Sequence, residues 1–509
     1  MRGFSPRQGL LLTALGALLA GCGGHAATIS SRSTTSSTSP PATTAAGSHS
    51  PGAIPDGDWT RFDYGPQRSG VGPARTGITS ANVSALRRRV VRIDGVADSS
   101  PIQLHRVRVR GRVRDVVIVT TTYGRTIAID PATGAKLWEY VPNGIRSYQG
   151  TSQITTASPV AGPDRAYVYS ASPDGVIHKL QLSNGAAVWS TRITFDPTLE
   201  KIAGALNISG SFVVAVTGGY FGDARPYQGH VVLIDRASGG VVHVFNSLCS
   251  DRHQLIDPPS SCPASDSAIW ARSGAVVESG TGRLLVATGN GPFNGSTNWG
   301  NSVLELSPHA TALLHSWTPV NEAQLSASDT DLGSTGPAVL PGKLAVQGGK
   351  DGRLALLDLN RLNGTTGGAG PLKGGALQTI SAPGGGEVLT APAVWNTGSR
   401  TYVFVANDSG TAAYVLRGRR LHVAWQDGTP GTSPVLAGGL LYVYDEVDGT
   451  LRVLRPATGG TVAALPAAKG HWNSPIVVGG RVILPVGGGT EGPDHVTSGR
   501  VFIYHLTGR

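Results

Sequence analysis

Along most of the chain, short apolar runs are separated by turn residues in a fixed order. One unit is complete at residues 433–460: Ser433-Pro434-Val435-Leu436, a Gly438-Gly439 turn, Leu440 to Tyr444, Asp448-Gly449, Thr450 to Leu454, and Ala457-Thr458-Gly459-Gly460. Turn pairs of these kinds between β-branched and aliphatic runs predict strand, turn, strand, turn, strand, turn, strand. Four antiparallel strands of this size make one blade of a β-propeller.

The same order recurs from Ser100-Pro101, Ser158-Pro159, Gly336-Pro337, Ala391-Pro392 and Ser474-Pro475. Two further units are stretched by insertions, one ending in Val231 to Asp235 and the other in Ser302 to Leu306. The chain is therefore expected to be all-β, an eight-bladed propeller of four-stranded antiparallel blades, or seven-bladed if one stretched unit is not a blade. The final unit stops after its third strand, and an open ring would expose a strand edge. Residues 86–92, ahead of the first Ser-Pro, predict the missing strand, so the ring closes through the N-terminus, with Trp59 and Phe62 packed near the seam. Trp138, Trp189, Trp317 and Trp425 stand near the ends of units and are expected to pack between blades.

Composition agrees with a β architecture, with 71 Gly, 33 Pro and only 15% charged residues in 509. The net charge of +10 comes mostly from arginine, clustered at Arg87 to Arg89 and Arg417 to Arg420. No basic stripe is interleaved with aromatics, which argues against a nucleic-acid partner.

Arg2 and Arg7 precede an apolar run from Leu10 to Ala20, which has secretory-signal form and is short for a membrane span. It ends Leu19-Ala20-Gly21-Cys22, which resembles the bacterial lipobox, in which the cysteine is lipidated. The expected organisation is a lipoprotein signal peptide at 1–21, a flexible Ser/Thr/Pro-rich tether at 22–56 and a propeller at 57–509. The protein would then lie outside the cytoplasm, anchored to the cell membrane by Cys22; the alternative is an ordinary signal peptide with a cysteine nearby. Of the 3 cysteines, lipidation of Cys22 leaves Cys249 and Cys262 for one disulfide in an oxidising compartment.

Ala128-x-Asp130-x-x-Thr133-Gly134-x-x-x-Trp138 and its copy at Leu180 to Trp189 resemble the pyrroloquinoline quinone repeat. That repeat is shared by quinoprotein alcohol dehydrogenases and by a noncatalytic outer-membrane assembly scaffold. The opening Trp59 to Gly70 is similar to the usual start of these domains. Ile269-Trp270 followed by Ala287 to Gly291 resembles the dehydrogenase stretch holding the tryptophan beneath the quinone and an asparagine calcium ligand. Ser328 to Gly333 resembles the segment with the catalytic aspartate, and Gly349-Lys350-Asp351-Gly352 the region where a basic side chain contacts the quinone. The resemblance implies Trp270 as the floor, Asn290 and Asp331 on calcium, Asp331 as the base and Lys350 near the quinone oxygens. An indole suits a planar cofactor and side-chain oxygens suit calcium, which acts as a Lewis acid on the quinone.

The chain departs from that pattern in three places. The dehydrogenases' glutamate ligand falls on Ala224, with Asp223 one position away as a substitute. No adjacent cysteines are present to cap a cofactor, and no Cys-x-x-Cys-His is present to attach a c-type haem, so electrons would leave to a partner acceptor. Each candidate also has an ordinary reading: Asp331, Asp329 and Asn290 as turn residues, Trp270 as core, Lys350 as a solvated strand-end charge. Two functions follow. One is a binding or scaffold propeller for an envelope protein or component; the other is a quinone- and calcium-dependent dehydrogenase of alcohols. Convergence of Trp270, Asn290, Asp331 and Lys350 on one channel mouth is the condition the second must meet.

Overall fold

The computed structural model describes residues 54–362, 372–487 and 498–507, with the side chain of Ser498 excepted. Cys22, the signal segment and most of the tether lie outside the described residues. The compact unit runs from Ser48 to Arg509.

Eight four-stranded antiparallel sheets form among the described residues. Blades 1 to 7 occupy residues 102–140, 160–192, 207–246, 276–317, 338–381, 393–427 and 435–466. Blade 8 takes three strands from residues 476–505 and its outermost from Arg87–Asp94, which pairs antiparallel with Ser498–His505 from Arg87↔His505 to Asp94↔Ser498. The expected closure by an N-terminal strand is thus observed, and the count is eight.

The repeat explains itself in contacts. Asp130 Oδ1 accepts the Ala132 and Thr133 N–H groups, closing the turn that ends in Gly134. The matching Gly185, Gly239 and Gly459 have φ of 78°, 79° and 72°, where a side chain is strained. The tryptophan of the preceding blade lies directly on each: an added Cβ would stand 2.5 Å from Trp138, 2.8 Å from Trp189 and 2.7 Å from Trp425. The same indoles donate to the neighbouring blade, Trp138 to Leu182 O at 2.8 Å and Trp425 to Pro456 O at 2.8 Å. The turn glycine and the tryptophan recur together because each of these turns is the seat of the preceding blade's tryptophan. Trp317 is buried, and the corresponding turn of blade 5 falls outside the described residues.

Apolar layers fill the gaps between neighbours, as where Ile102, Leu104 and Trp138 of blade 1 meet Val168 and Leu180 of blade 2. The recurrent serine before proline ties the inner ring: Ser100 N–H donates to Ser158 Oγ at 2.8 Å, Ser100 and Ser474 share a hydrogen bond, and Ala391 N–H donates to Ser433 Oγ at 3.0 Å.

Because each blade's strands alternate in direction, the links between second and third strands, and those between blades, all open on one face, the upper one. The lower face is crossed by residues 59–76. Each inner strand offers an unpaired backbone edge to the channel, and this strap supplies partners. Trp59 exchanges backbone bonds with Gln103 of blade 1, and Thr60 O accepts from Ala161 of blade 2. Arg61 reaches Asn207 of blade 3, Pro66 O takes Val277 N–H of blade 4, and Ser69 O takes Val394 N–H of blade 6. Gly70 O takes Leu436 N–H of blade 7, and Thr76 O takes Gly480 N–H of blade 8. Trp59 belongs to the buried cluster that fills the seam with Val478 and Val482 of blade 8, as expected, but Phe62 does not: it clusters with Ala205 and Ala391. The strap, rather than the seam alone, claims it.

Candidate functional site at the upper mouth

The upper face carries the long insertions. Trp270 lies on the link from blade 3 to blade 4, beyond the disulfide Cys249–Cys262 (S–S 2.09 Å). The Ala268 methyl and Trp270 Cβ pack against Gly218, and Ile269 N–H donates to Thr217 O, so the indole's backbone is pinned to blade 3. Asn290 lies on the loop between Leu284–Ala287 and Val303–Leu306 of blade 4. Asp331 enters the short 3-10 turn Leu332–Ser334 after the helix Glu322–Ala327, on the link to blade 5. Lys350 follows Leu344–Gln347 of blade 5, and its N–H donates to Asp331 O at 2.9 Å.

These four residues converge. Asp331 Oδ1 accepts the Asn290 backbone N–H at 2.8 Å, and Asp331 Oδ2 stands 2.6 Å from Lys350 Nζ. Lys350 Nζ is also 3.6 Å from Asp329 Oδ1 and 5.6 Å from the Trp270 ring centre. Asn290 Nδ2 donates to Asp329 Oδ1 at 2.7 Å. A Cβ on Gly289 would fall 2.3 Å from Asp331 Oδ1, so only glycine there admits the carboxylate. Burial alone would lower the Lys350 ammonium, but Asp331 and Asp329 outweigh it and hold its pKa above the usual lysine value.

Sequence reasoning missed the opposite wall. Trp472 faces Trp270 with ring centres 6.4 Å apart. His471 stacks on it at 4.2 Å, and the Arg272 guanidinium, 3.5 Å from His471 Nδ1, lies 5.4 Å from its ring centre. Asp98 ties both, with Oδ1 2.6 Å from Arg272 and Oδ2 2.8 Å from His471 Nδ1. Burial works against ionised Asp98, but Arg272 and His471 prevail and hold it well below the ordinary carboxylate range. Asn301 is another omission: its Nδ2 donates to Asn290 Oδ1 at 3.2 Å and its Oδ1 accepts Leu332 N–H at 2.9 Å. A signal for the wall existed in the repeat, since Asp98 and Trp472 both stand two residues before the serine of a Ser-Pro unit.

The donor set does not fit calcium as the dehydrogenase pattern would place it. Asp331 has one oxygen on Asn290 N–H and the other on Lys350, Asn290 Oδ1 is engaged by Asn301, and Ala224 is exposed. Asp223 is exposed, accepts Tyr227 OH at 2.9 Å, and has its carboxyl raised by burial and by Asp331 and Asp329 nearby. Among the described residues no three His, Cys, Asp or Glu side chains stand close enough to hold a metal ion. The half-buried indole of Trp270 with an ammonium beside it does suit a flat, electron-rich or anionic ligand.

Residues 106–256 match a family model described as outer membrane protein assembly factor BamB. The quinohemoprotein alcohol dehydrogenase ADH IIB of Pseudomonas putida is 23% identical over 278 residues, 49% of this chain and 39% of that protein. The chain therefore aligns with about two fifths of that relative's length. The crystal structure of quinohemoprotein alcohol dehydrogenase from Comamonas testosteroni superposes with a TM-score of 0.65 at 15% identity, covering 89% of this chain and 81% of that one. The fold is that of the quinoprotein propellers. A europium-containing methanol dehydrogenase agrees, with a TM-score of 0.66 at 15% identity over 88% of this chain and 98% of that one. With that architecture the chain carries a mouth where Asp331 pairs with Lys350 and Asp98 with Arg272.

Proposed function

We propose that the protein is an extracytoplasmic, lipid-anchored binding propeller whose upper mouth receives a flat ligand of quinone type on the open indole surface of Trp270 beside Lys350, and presents it or the surrounding face to an envelope partner. The observation that carries this reading is the closed pair of Asp331 and Lys350 at 2.6 Å, with the second carboxylate oxygen on Asn290 N–H. A general base or metal ligand acts through free negative charge, and here Lys350 already neutralises the carboxylate, so a metal ion or substrate would have to compete with that ammonium. Trp270 supplies a stacking surface and Lys350 a charge, which is enough for binding. The similarity to the BamB family model supports an envelope role, and Cys22 with its lipobox supports the anchor.

The second reading, a calcium-dependent quinoprotein alcohol dehydrogenase, is favoured by the meeting of Trp270, Asn290, Asp331 and Lys350 at one mouth. The bound quinone would supply the redox chemistry and Asp331 the base, provided Lys350 released it. A spectral titration of the purified protein with pyrroloquinoline quinone, with and without calcium, followed by dye reduction with a panel of alcohols, separates the two. Calcium-independent binding without turnover, weakened by Trp270→Ala, is the expected result. Calcium-dependent turnover abolished by Asp331→Asn would establish the dehydrogenase, and absence of binding would leave the scaffold reading without its ligand. Retention in the membrane fraction lost in Cys22→Ala checks the anchor.

A further inference from the structure

The lower face carries a feature that the mouth does not use. Residues 106–112 form the tip of a hairpin between Ile102–Val109 and Arg112–Thr120 of blade 1, and Arg106, Arg108, Arg110 and Arg112 are all exposed. The pairing Arg108↔Val113 puts both on one side of the hairpin, and Val113 is 54% exposed. Beside it runs the start of Arg87–Asp94, with Arg87 and Arg88 exposed and Val90 44% exposed.

These two segments, one in blade 8 and the other in blade 1, bracket one turn. Arg89 donates to Pro131 O at 3.1 Å from one side, while Arg114 pairs with Asp130 at 3.0 Å and Arg110 donates to Leu137 O at 3.1 Å from the other. The nearby acids are already engaged: Asp115 by Arg481 and His105, Asp130 by Arg114, and Glu139 by Arg125 and Lys136. Among the described residues the four hairpin arginines have no carboxylate partner. Their charge therefore faces water unneutralised, with Val113 exposed beside Arg108 and no exposed aromatic among the described residues of the hairpin for bases to stack on.

The chain enters the fold at this place. Gln103 Nε2 donates to Gly57 O at 3.1 Å and His105 N–H donates to Asp58 Oδ1 at 2.7 Å, so the N-terminal segment reaches the propeller at the root of the hairpin. We infer that the arginine hairpin and the Arg87 to Arg89 segment form a docking surface for an anionic phospholipid bilayer, which sets the lower face against the membrane and turns the upper mouth away from it. Arginines near such a surface are drawn by its negative potential, and the exposed valines add apolar contact at the headgroup boundary. The orientation rests on the anchor reading, since a tether from Cys22 would bring the bilayer to this face; the lipid affinity of the hairpin does not.

The test uses residues 48–509, which hold the whole closed ring and no lipid. Binding is measured by co-sedimentation with vesicles of phosphatidylcholine alone and of phosphatidylcholine with roughly one third phosphatidylglycerol, at about 0.05 M and about 0.5 M salt. The expected result is binding to the anionic vesicles only, lost at the higher salt. R108Q/R112Q should weaken it roughly ten- to twenty-five-fold, from a factor of about five per arginine. R146Q/K469Q, which removes two exposed charges from inter-blade links of the upper face, should change it by less than about two-fold. An unchanged melting temperature shows that both variants fold. No binding, equal binding to neutral vesicles, or equal loss in the two variants overturns the proposal. Displacement from the vesicles by equimolar RNA does the same and assigns the surface to nucleic acid.

Discussion

The two ends of the channel are closed off by opposite means. At the lower end a single strap pairs its backbone with six blades and reaches a seventh through Arg61, and its side chains are locked into the fold: Trp59 is fully buried and Arg68 donates to Phe62 O at 2.6 Å and Leu206 O at 2.8 Å. At the upper end the links between blades grow into insertions, and polar side chains meet across the opening instead of backbones. Ion pairs such as Asp331 with Lys350 and Asp98 with Arg272 flank the contact between Trp270 and Trp472. The lower end spends its residues on closure, whereas the upper end leaves indole surface partly open. Stability and binding should therefore separate by face.

The sharpest way to break that division is to remove tryptophans. Trp59→Ala and Trp138→Ala each empty a buried seat, at 0% and 2% exposure, and should cost roughly 3–5 kcal/mol in chemical denaturation. Trp270→Ala, at a half-buried wall, should cost about 1 kcal/mol or less and yet weaken quinone binding about ten-fold or more. A large stability loss from Trp270→Ala with unchanged binding would make it a core residue and dissolve the contrast.

The same contrast explains what the sequence disclosed. Blades and the closing strand followed from Ser-Pro, Asp-Gly and Thr-Gly because each recurs with the same task in several copies: Ser100, Ser158, Ser433 and Ser474 tie the inner ring, and Gly185, Gly239 and Gly459 each seat an indole. The quartet Trp270, Asn290, Asp331 and Lys350 was legible only through likeness to a family, since each is an ordinary turn or core residue by itself. The strap was not legible beyond Trp59. Its contacts pair an aperiodic stretch with blades more than a hundred residues away, as Arg61 does with Asn207, and no local pattern marks such pairing. The wall of Asp98, Arg272 and His471 was missed for the same reason: its members come from the openings of blades 1, 4 and 8.

An intermediate effect is expected at the disulfide. Cys249 and Cys262 are 13 residues apart and staple the insertion that leads to Trp270, packing with Leu248 and Ile256. Opening so short a loop in the unfolded chain should lower stability by up to about 3 kcal/mol in C249S/C262S. Since Gly218 and Thr217 hold the backbone around Trp270 independently, quinone affinity should fall by less than in Trp270→Ala. An equal fall would show that the staple, rather than blade 3, positions the indole.

The smallest effect concerns a carboxyl at the upper mouth. Glu446 lies on the loop between Leu440–Asp445 and Thr450–Leu454 of blade 7, and its Oε2 is buried without a hydrogen-bond partner. Burial, aided by Asp445 and Asp408 and opposed by His471, raises its pKa to about 7 from an ordinary 4.5. With the folded value above the unfolded one, the proton is held more tightly in the folded state. No penalty exists below the unfolded pKa, where both states are protonated; it grows as pH rises and is complete above the folded pKa. Glu446→Gln should therefore leave the melting temperature unchanged near pH 4 and raise it at pH 8, by a gain on the order of 1 kcal/mol once residual solvation is allowed for. A gain that is the same at both pH values would mean the glutamine simply packs better. A loss at pH 8 would mean that the ionised carboxylate has a cationic partner at the mouth, which would extend the pairing seen at Asp331 and Asp98 to a third carboxylate.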